Sequence, residues 1–291
     1  MIGAWEPTTY GDLPALASSV NRTEPRSILF IGDLHADSPY ADRVGIRRVL
    51  DEAVERDAAI ILLGDTFDAM QSKGDKRGNK AALMERYAGR DDYLNALLED
   101  VAGFLRPYAA NVWILLHGNH DSGITKYHEV DLVKLLARDM NAHGGRVITP
   151  GYQTYLAIKT GTSGCKWHHV TLGFITHGSG GASPITKGAI GMARRATTYP
   201  DAAFIVSGHL HTDVQVSHPQ YRVSHKGRLY VARQRHVQVG AWKLESHTAP
   251  SWAVEKGMPP ALPAAYWLEF RRARGDVAVQ RVQHRFVEAT A

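Results

Sequence analysis

Five apolar runs along the chain stop abruptly at glycine, acidic, amide or imidazole residues. Residues 27–31 run into Gly32-Asp33 and residues 58–63 into Gly64-Asp65. Residues 111–116 run into His117-Gly118-Asn119-His120-Asp121, and residues 203–207 into Gly208-His209. A fifth run, 173–176, delivers His177-Gly178. Continuous apolar runs of this length read as strands covered on both faces. Between them lie stretches with apolar residues at helical spacing, which predict helices over 42–56, over 80–105 with a break at Gly89, and over 126–140. Strand–helix alternation of this kind predicts an α/β core.

The second half carries a different pattern. Residues 152–159 and 166–174 read as one hairpin, 221–224 and 229–233 as another, and 265–271 with 277–287 as a third. Residues 71–79 and 245–263 read as loops. The expected organisation is an N-terminal arm (1–26), a core (27–220), and a strand-rich C-terminal extension (221–291) packed on that core within the same domain.

Each strand end offers side chains that suit hard or borderline divalent cations: Asp33 and His35, Asp65, Asn119 with His120 and Asp121, His177, and His209 with His211. One such histidine is ordinarily scaffolding, and a Gly-Asp pair is ordinarily a turn. So many such groups after five apolar runs are not a common accident. In open α/β sheets, ligands bind in the crevice beyond the carboxyl ends of the strands.

The string Asp33-Leu34-His35, Gly64-Asp65-Thr66-Phe67-Asp68, Gly118-Asn119-His120-Asp121, His177 and Gly208-His209-Leu210-His211 resembles the calcineurin-like metallophosphoesterase superfamily. All five motifs stand in family order across residues 32–212. The resemblance implies a four-layer α/β/β/α sandwich of two mixed sheets flanked by helices. It implies that Asp33, His35, Asp65 and His211 hold one divalent metal ion. Asp65 would bridge to a second, completed by Asn119, His177 and His209. Mixed nitrogen and oxygen donors without thiolate favour manganese, with iron, zinc and nickel as alternatives.

On this reading, water between the two cations ionises and attacks phosphorus in line. His120 protonates the leaving oxygen, and Asp121 fixes the His120 tautomer. Asp68 is either a supporting residue or a local cap, Asp37 reads as a helix cap, and His117 as a strand end. The phosphoprotein phosphatase branch carries Arg and Glu where this chain has Ala69 and Asp121, which argues against that branch. The motif string does not separate cyclic-nucleotide phosphodiesterases from nucleases. A scaffold with the same fold is the third alternative, disfavoured because every ligand position is filled.

Charge adds a candidate partner. Residues 221–291 carry 12 Lys/Arg against 5 Asp/Glu, a net of +7, whereas residues 1–220 carry a net of −2. The basic region favours a nucleic acid or nucleotide phosphoester as substrate over a small phosphomonoester. The single cysteine, Cys165, excludes an internal disulfide and fits a reducing, cytoplasmic setting. No apolar run reaches membrane-spanning length, and the first 26 residues hold no apolar block of the kind a signal peptide needs.

Overall fold

The computed structural model describes residues 1–20, 25–69, 83–87, 89–161, 169–181, 183, 185–244, 254 and 262–272, and the backbone of 282–289. The expected loop at 71–79, most of the turn between the strands expected at 152–159 and 166–174, Cys165, residues 166–168, the turn at 273–276, and most of 245–263 lie outside the described residues.

Two mixed sheets stack face to face. The smaller runs in the order β12 (Val282–Ala289), β11 (Ala265–Arg272), β3 (Arg26–Ile31), β4 (Ala59–Leu62), β5 (Val112–Leu115). The larger runs β1 (Glu6–Tyr10), β2 (Leu13–Ser19), β6 (Gln153–Gly161), β7 (His169–Thr176), β8 (Phe204–Ser207), β10 (Leu229–Gln238), β9 (Val214–Val223). β3, β4 and β5 are mutually parallel, and β8 is parallel to both its neighbours. The remaining strands join mainly through antiparallel hairpins.

Strand alternation divides the core in two. Ile28 and Phe30 of β3 face the inter-sheet layer with Ile61, Phe204, Val237 and Leu268. Leu29 and Ile31 face outward, under Val49 of α1 (Arg43–Glu55), Leu97 of α2 (Tyr93–Leu105) and Leu136 of α4 (Leu132–Ala142). A fifth helix, α5 (Ala189–Thr198), lies over the outer face of the larger sheet beside β9, where Tyr199 stacks on Phe174. The expected four-layer α/β/β/α sandwich is the observed architecture, and its C-terminal third is rich in strands.

Several elements differ from their expected form. The first twenty residues, set apart as an arm, supply β1 and β2 to the larger sheet. Ile2 and Trp5 are fully buried, with Trp5 Nε1 donating to Ser27 O at 2.9 Å. The 221–291 strands do not rest on a finished core but complete both sheets: β10 pairs with β8, and β11 with β3. Of the helix expected over 80–105, the described residues show a single 3₁₀ turn at Glu85–Tyr87 and then α2 from Tyr93, with Gly89 at φ 75° between them. The helix expected over 126–140 is two helices: α3 (Asn119–His128) ends where Glu129 turns left-handed, and α4 restarts with Asp131 accepting from Lys134 N. Among the described residues no helix is long and apolar enough to cross a membrane.

Candidate metal centre

The ends of β3, β4, β7 and β8 and the start of α3 meet at one edge of the sandwich. Ladder-like bonds run past the strand ends: Asp33 N donates to Gly64 O (3.0 Å), His35 N to Asp65 O (3.0 Å) and Gly208 N to His177 O (3.0 Å). These bonds lock the loops to one another, so the side chains they carry are placed by the sheets.

Besides a cluster of His35, Asp68 and His120, two donor groups result. Asp33, His35, Asp65 and His211 offer ligand atoms that all lie within 4.8 Å of one another, and so do Asp65, His177 and His209. Asn119 joins the second group, its Oδ1 2.8 Å from His209 Nδ1 and 3.1 Å from His177 Nε2. Asp65 belongs to both groups. The structure therefore brings together all seven residues that the motifs singled out.

Hydrogen bonds orient the candidate donor atoms. His177 Nδ1 donates to Leu63 O (2.9 Å), which leaves Nε2 to face Asp65 Oδ2 at 3.4 Å. His35 points Nδ1 at Asp68 Oδ1 (3.0 Å) and Nε2 inward, 3.4 Å from His211 Nε2. A histidine held by a carboxylate or carbonyl on one nitrogen presents a basic lone pair on the other. Burial alone would raise Asp33 and Asp65, but neighbouring histidines, His211 for Asp33 and His177 for Asp65, hold both carboxyls below their usual range. Burial would lower His177, yet the Asp65 carboxylate lifts it to about 9. Oxygen and imidazole donors around a shared carboxylate fit two borderline divalent ions.

The backbone gives independent evidence. Nine non-glycine residues among those described have positive φ, and five are Asp33 (52°), His35 (44°), Asp65 (47°), His209 (74°) and His211 (55°). Such conformations cost on the order of 1–3 kcal/mol each and persist where the surroundings over-determine them, above all at functional sites. Two glycines make the loops fit. A Cβ at Gly118 would collide with the Asp65 carboxylate, and one at Gly208 with that of Asp33. The helix α3 N-terminus adds a donor, His120 N to Asp65 Oδ1 at 2.9 Å, where the helix dipole favours an anion.

His120 stands at the mouth, its ring 4.8 Å from that of His35, with Nδ1 2.8 Å from Asp68 O and 3.4 Å from Asp68 Oδ1. Its expected partner, Asp121, is elsewhere. Both Asp121 oxygens are taken by backbone donors, Phe67 N (3.2 Å) and Gly118 N (2.8 Å), and burial with the charge of Asp65 pushes its carboxyl up to about 7. Asp121 is a clamp joining the β4 and β5 loops, and Asp68 is the carboxylate beside His120.

Asp37 is not a helix cap. Its oxygens accept from Asp68 N (2.5 Å) and Ala69 N (2.8 Å), while Asp42 caps α1 by accepting from Gly45 N. His117 bonds Asp131 at the start of α4 (3.0 Å). Lys243 was missed entirely. It reaches Asp68 (3.0 Å) because Trp242 N bonds Asp33 O and Leu244 N bonds Tyr40 O, laying residues 242–244 along the β3 loop. The spacing of Asp68 after Asp65 is visible in the motif, whereas nothing in Trp242-Lys243-Leu244 marks it as part of a site.

The family model for calcineurin-like phosphoesterases matches residues 26–213. The chain belongs to that family. Solved structures similar to this metallophosphoesterase include a predicted phosphoesterase from Streptococcus pneumoniae TIGR4, at 11% identity and TM-score 0.33, covering 90% of this chain and 98% of that one. Another is Chaetomium thermophilum Vps29, at 11% identity and TM-score 0.37, covering 92% and 98%. A search of curated proteins finds no match.

Proposed function

We propose that this metallophosphoesterase hydrolyses phosphate esters with two divalent cations, manganese first, and that its substrates are phosphodiesters of nucleic acid or nucleotides. The convergence of seven donors around the shared Asp65 carries the reading. Asp33, His35, Asp65 and His211 would hold one cation, and Asp65, Asn119, His177 and His209 the other. Bound there, the pair supplies Lewis acidity toward phosphoryl oxygens and acidifies water.

The chain's own residues do the rest. His120 Nδ1 donates to Asp68 O, which leaves Nε2 as the ring nitrogen free to serve an incoming substrate. A leaving oxygen arriving there would receive its proton from Nε2, a step that accounts for about 10²–10⁴-fold in rate. Asp121 acts at one remove, keeping Gly118 and Phe67 together so that Asn119 and Asp65 stay in register.

The test is turnover of bis-p-nitrophenyl and mono-p-nitrophenyl phosphate with added manganese, iron, zinc or nickel. The expected result is diester hydrolysis with manganese, lowered about 10²–10⁴-fold by His120→Asn. Unchanged turnover in that variant would remove the acid assigned to His120. Absence of hydrolysis with every metal would remove the proposed activity.

A further inference from the structure

β9 and β10 form a ribbon of two ten-residue strands at the edge of the larger sheet, in register from Val214↔Gln238 to Val223↔Leu229. At about 3.3 Å per residue its tip lies roughly 30 Å from its root. The root belongs to the metal centre: β9 starts three residues after His211, and Gln238 Nε2 bonds Thr212 O (2.8 Å) there.

One face of the ribbon is exposed along most of its length. Val237 on β10 points into the inter-sheet core, and residues two apart share its face, as do their cross-strand partners. On β9, every residue of that face, from Gln215 to Val223, is exposed. The distal part is apolar: Tyr221 (80% exposed) opposes Val231 (63%), and Val223 (68%) opposes Leu229 (68%). Contiguous exposed apolar surface rimmed by polar and charged residues is the form that interaction sites take.

Charge narrows the partner. Residues 214–244 contain Arg222, Lys226, Arg228, Arg233, Arg235 and Lys243 and not one Asp or Glu. Arg233 and Arg235 follow each other along the exposed face, and the charge of Arg233, after partial burial, helps push Arg235 down. A second copy of the ribbon would set cation against cation. A polyanion with planar apolar groups meets both demands, because phosphates neutralise the arginines while bases stack on tyrosine and aliphatic surface.

We infer that the exposed β9–β10 face bearing Tyr221, Val231 and Arg233, with Arg228 in the turn at its tip, docks a single-stranded polynucleotide and leads it to the metal centre at the ribbon's root. This rests on the phosphodiesterase reading above and names the surface that selects the substrate. Strand entry from the tip would run along about 30 Å of ribbon before reaching the ligands.

The experiment measures fluorescence anisotropy of a labelled oligothymidylate 20-mer with full-length protein in EDTA, across a salt series, beside bis-p-nitrophenyl phosphate turnover with manganese. Arg228→Gln/Arg233→Gln should flatten the slope of log affinity against log salt by about 1.4. Tyr221→Ser should weaken binding about fivefold or more. Arg138→Glu, on the exposed side of α4, should change neither, and all variants should turn over the small diester as the wild type does. Small-diester turnover without oligonucleotide binding overturns the inference and leaves the proposed activity standing. Binding lost in the ribbon variants, without turnover of any diester, overturns the activity and leaves the docking surface. Equal losses in Arg138→Glu, tighter binding to phosphatidylserine vesicles than to the oligonucleotide, or a dimer that Tyr221→Ser dissociates would each overturn the inference.

Discussion

Replacing Asp68 with asparagine tests how the site is held. Asp68 is buried and meets three groups: His35 Nδ1 at 3.0 Å, His120 Nδ1 at 3.4 Å and Lys243 Nζ at 3.0 Å. Burial opposes its charge, but His35 and Lys243 keep its carboxyl well below the usual range, so it stands ionised. Asparagine keeps the shape and removes the charge. The side chains of Lys243 and Asp68 are 9% and 5% exposed, so their pair is a buried one. Breaking such a pair from one side costs about 3–5 kcal/mol, and removing the carboxylate that orients a ligand histidine costs about 10–100-fold in metal affinity or activity. Urea unfolding of metal-free protein reads the first quantity, and a manganese titration by calorimetry reads the second. Adding Lys243→Met should recover much of the stability and none of the affinity, since only the first loss comes from the ammonium. An Asp68→Asn protein that folds and binds manganese like the wild type would refute the reasoning, and so would recovery of both quantities by Lys243→Met.

Two further perturbations probe the frame around the site. Trp5→Ala should cost about 3–5 kcal/mol in urea unfolding, because the side chain is fully buried against Phe270 and Ser27; a loss below about 1 kcal/mol would show that the first strands do not belong to the core. His236 is buried 4.8 Å from His218, and burial with the His218 and Arg195 charges pushes it down to about 3. The unfolded chain takes this proton first, so stability falls as pH drops from about 6.5 toward 3, by about 1.4 kcal/mol per pH unit from this group alone. Between pH 7 and pH 5 the wild type should lose about 2 kcal/mol more than His236→Gln, and parallel losses would contradict the assignment.

The parallel strands and the candidate donors at their ends were legible because each is a short local pattern: an apolar run, a glycine, then a donor. β3, β4, β5 and β8 fall within a residue or two of the expected runs. β1 and β2 were not legible. Their sequence, with Pro7, Thr8, Thr9, Gly11 and Pro14, lacks a continuous apolar run, and β2 becomes a strand by pairing with β6 some 140 residues away. The ribbon was seen only near its turn, since residues 214–220 gain strand form from pairing with 232–238. The site divides the same way. The donors follow from local motifs, whereas the roles of Asp37, Asp68 and Lys243 depend on which backbone amides and charges tertiary contacts bring to them. Asp121 was given to His120 on sequence proximity, but as the third residue of α3 it turns back to the helix start and bonds Gly118 N.

The central claim is that one carboxylate, Asp65, organises two cation sites. Metal content per chain, read by mass spectrometry after dialysis against manganese for wild type and Asp65→Asn, tests it most directly. The account predicts about two ions per chain in the wild type and fewer than one in the variant. A wild type that retains no metal, or an Asp65→Asn protein that still holds two, would contradict it.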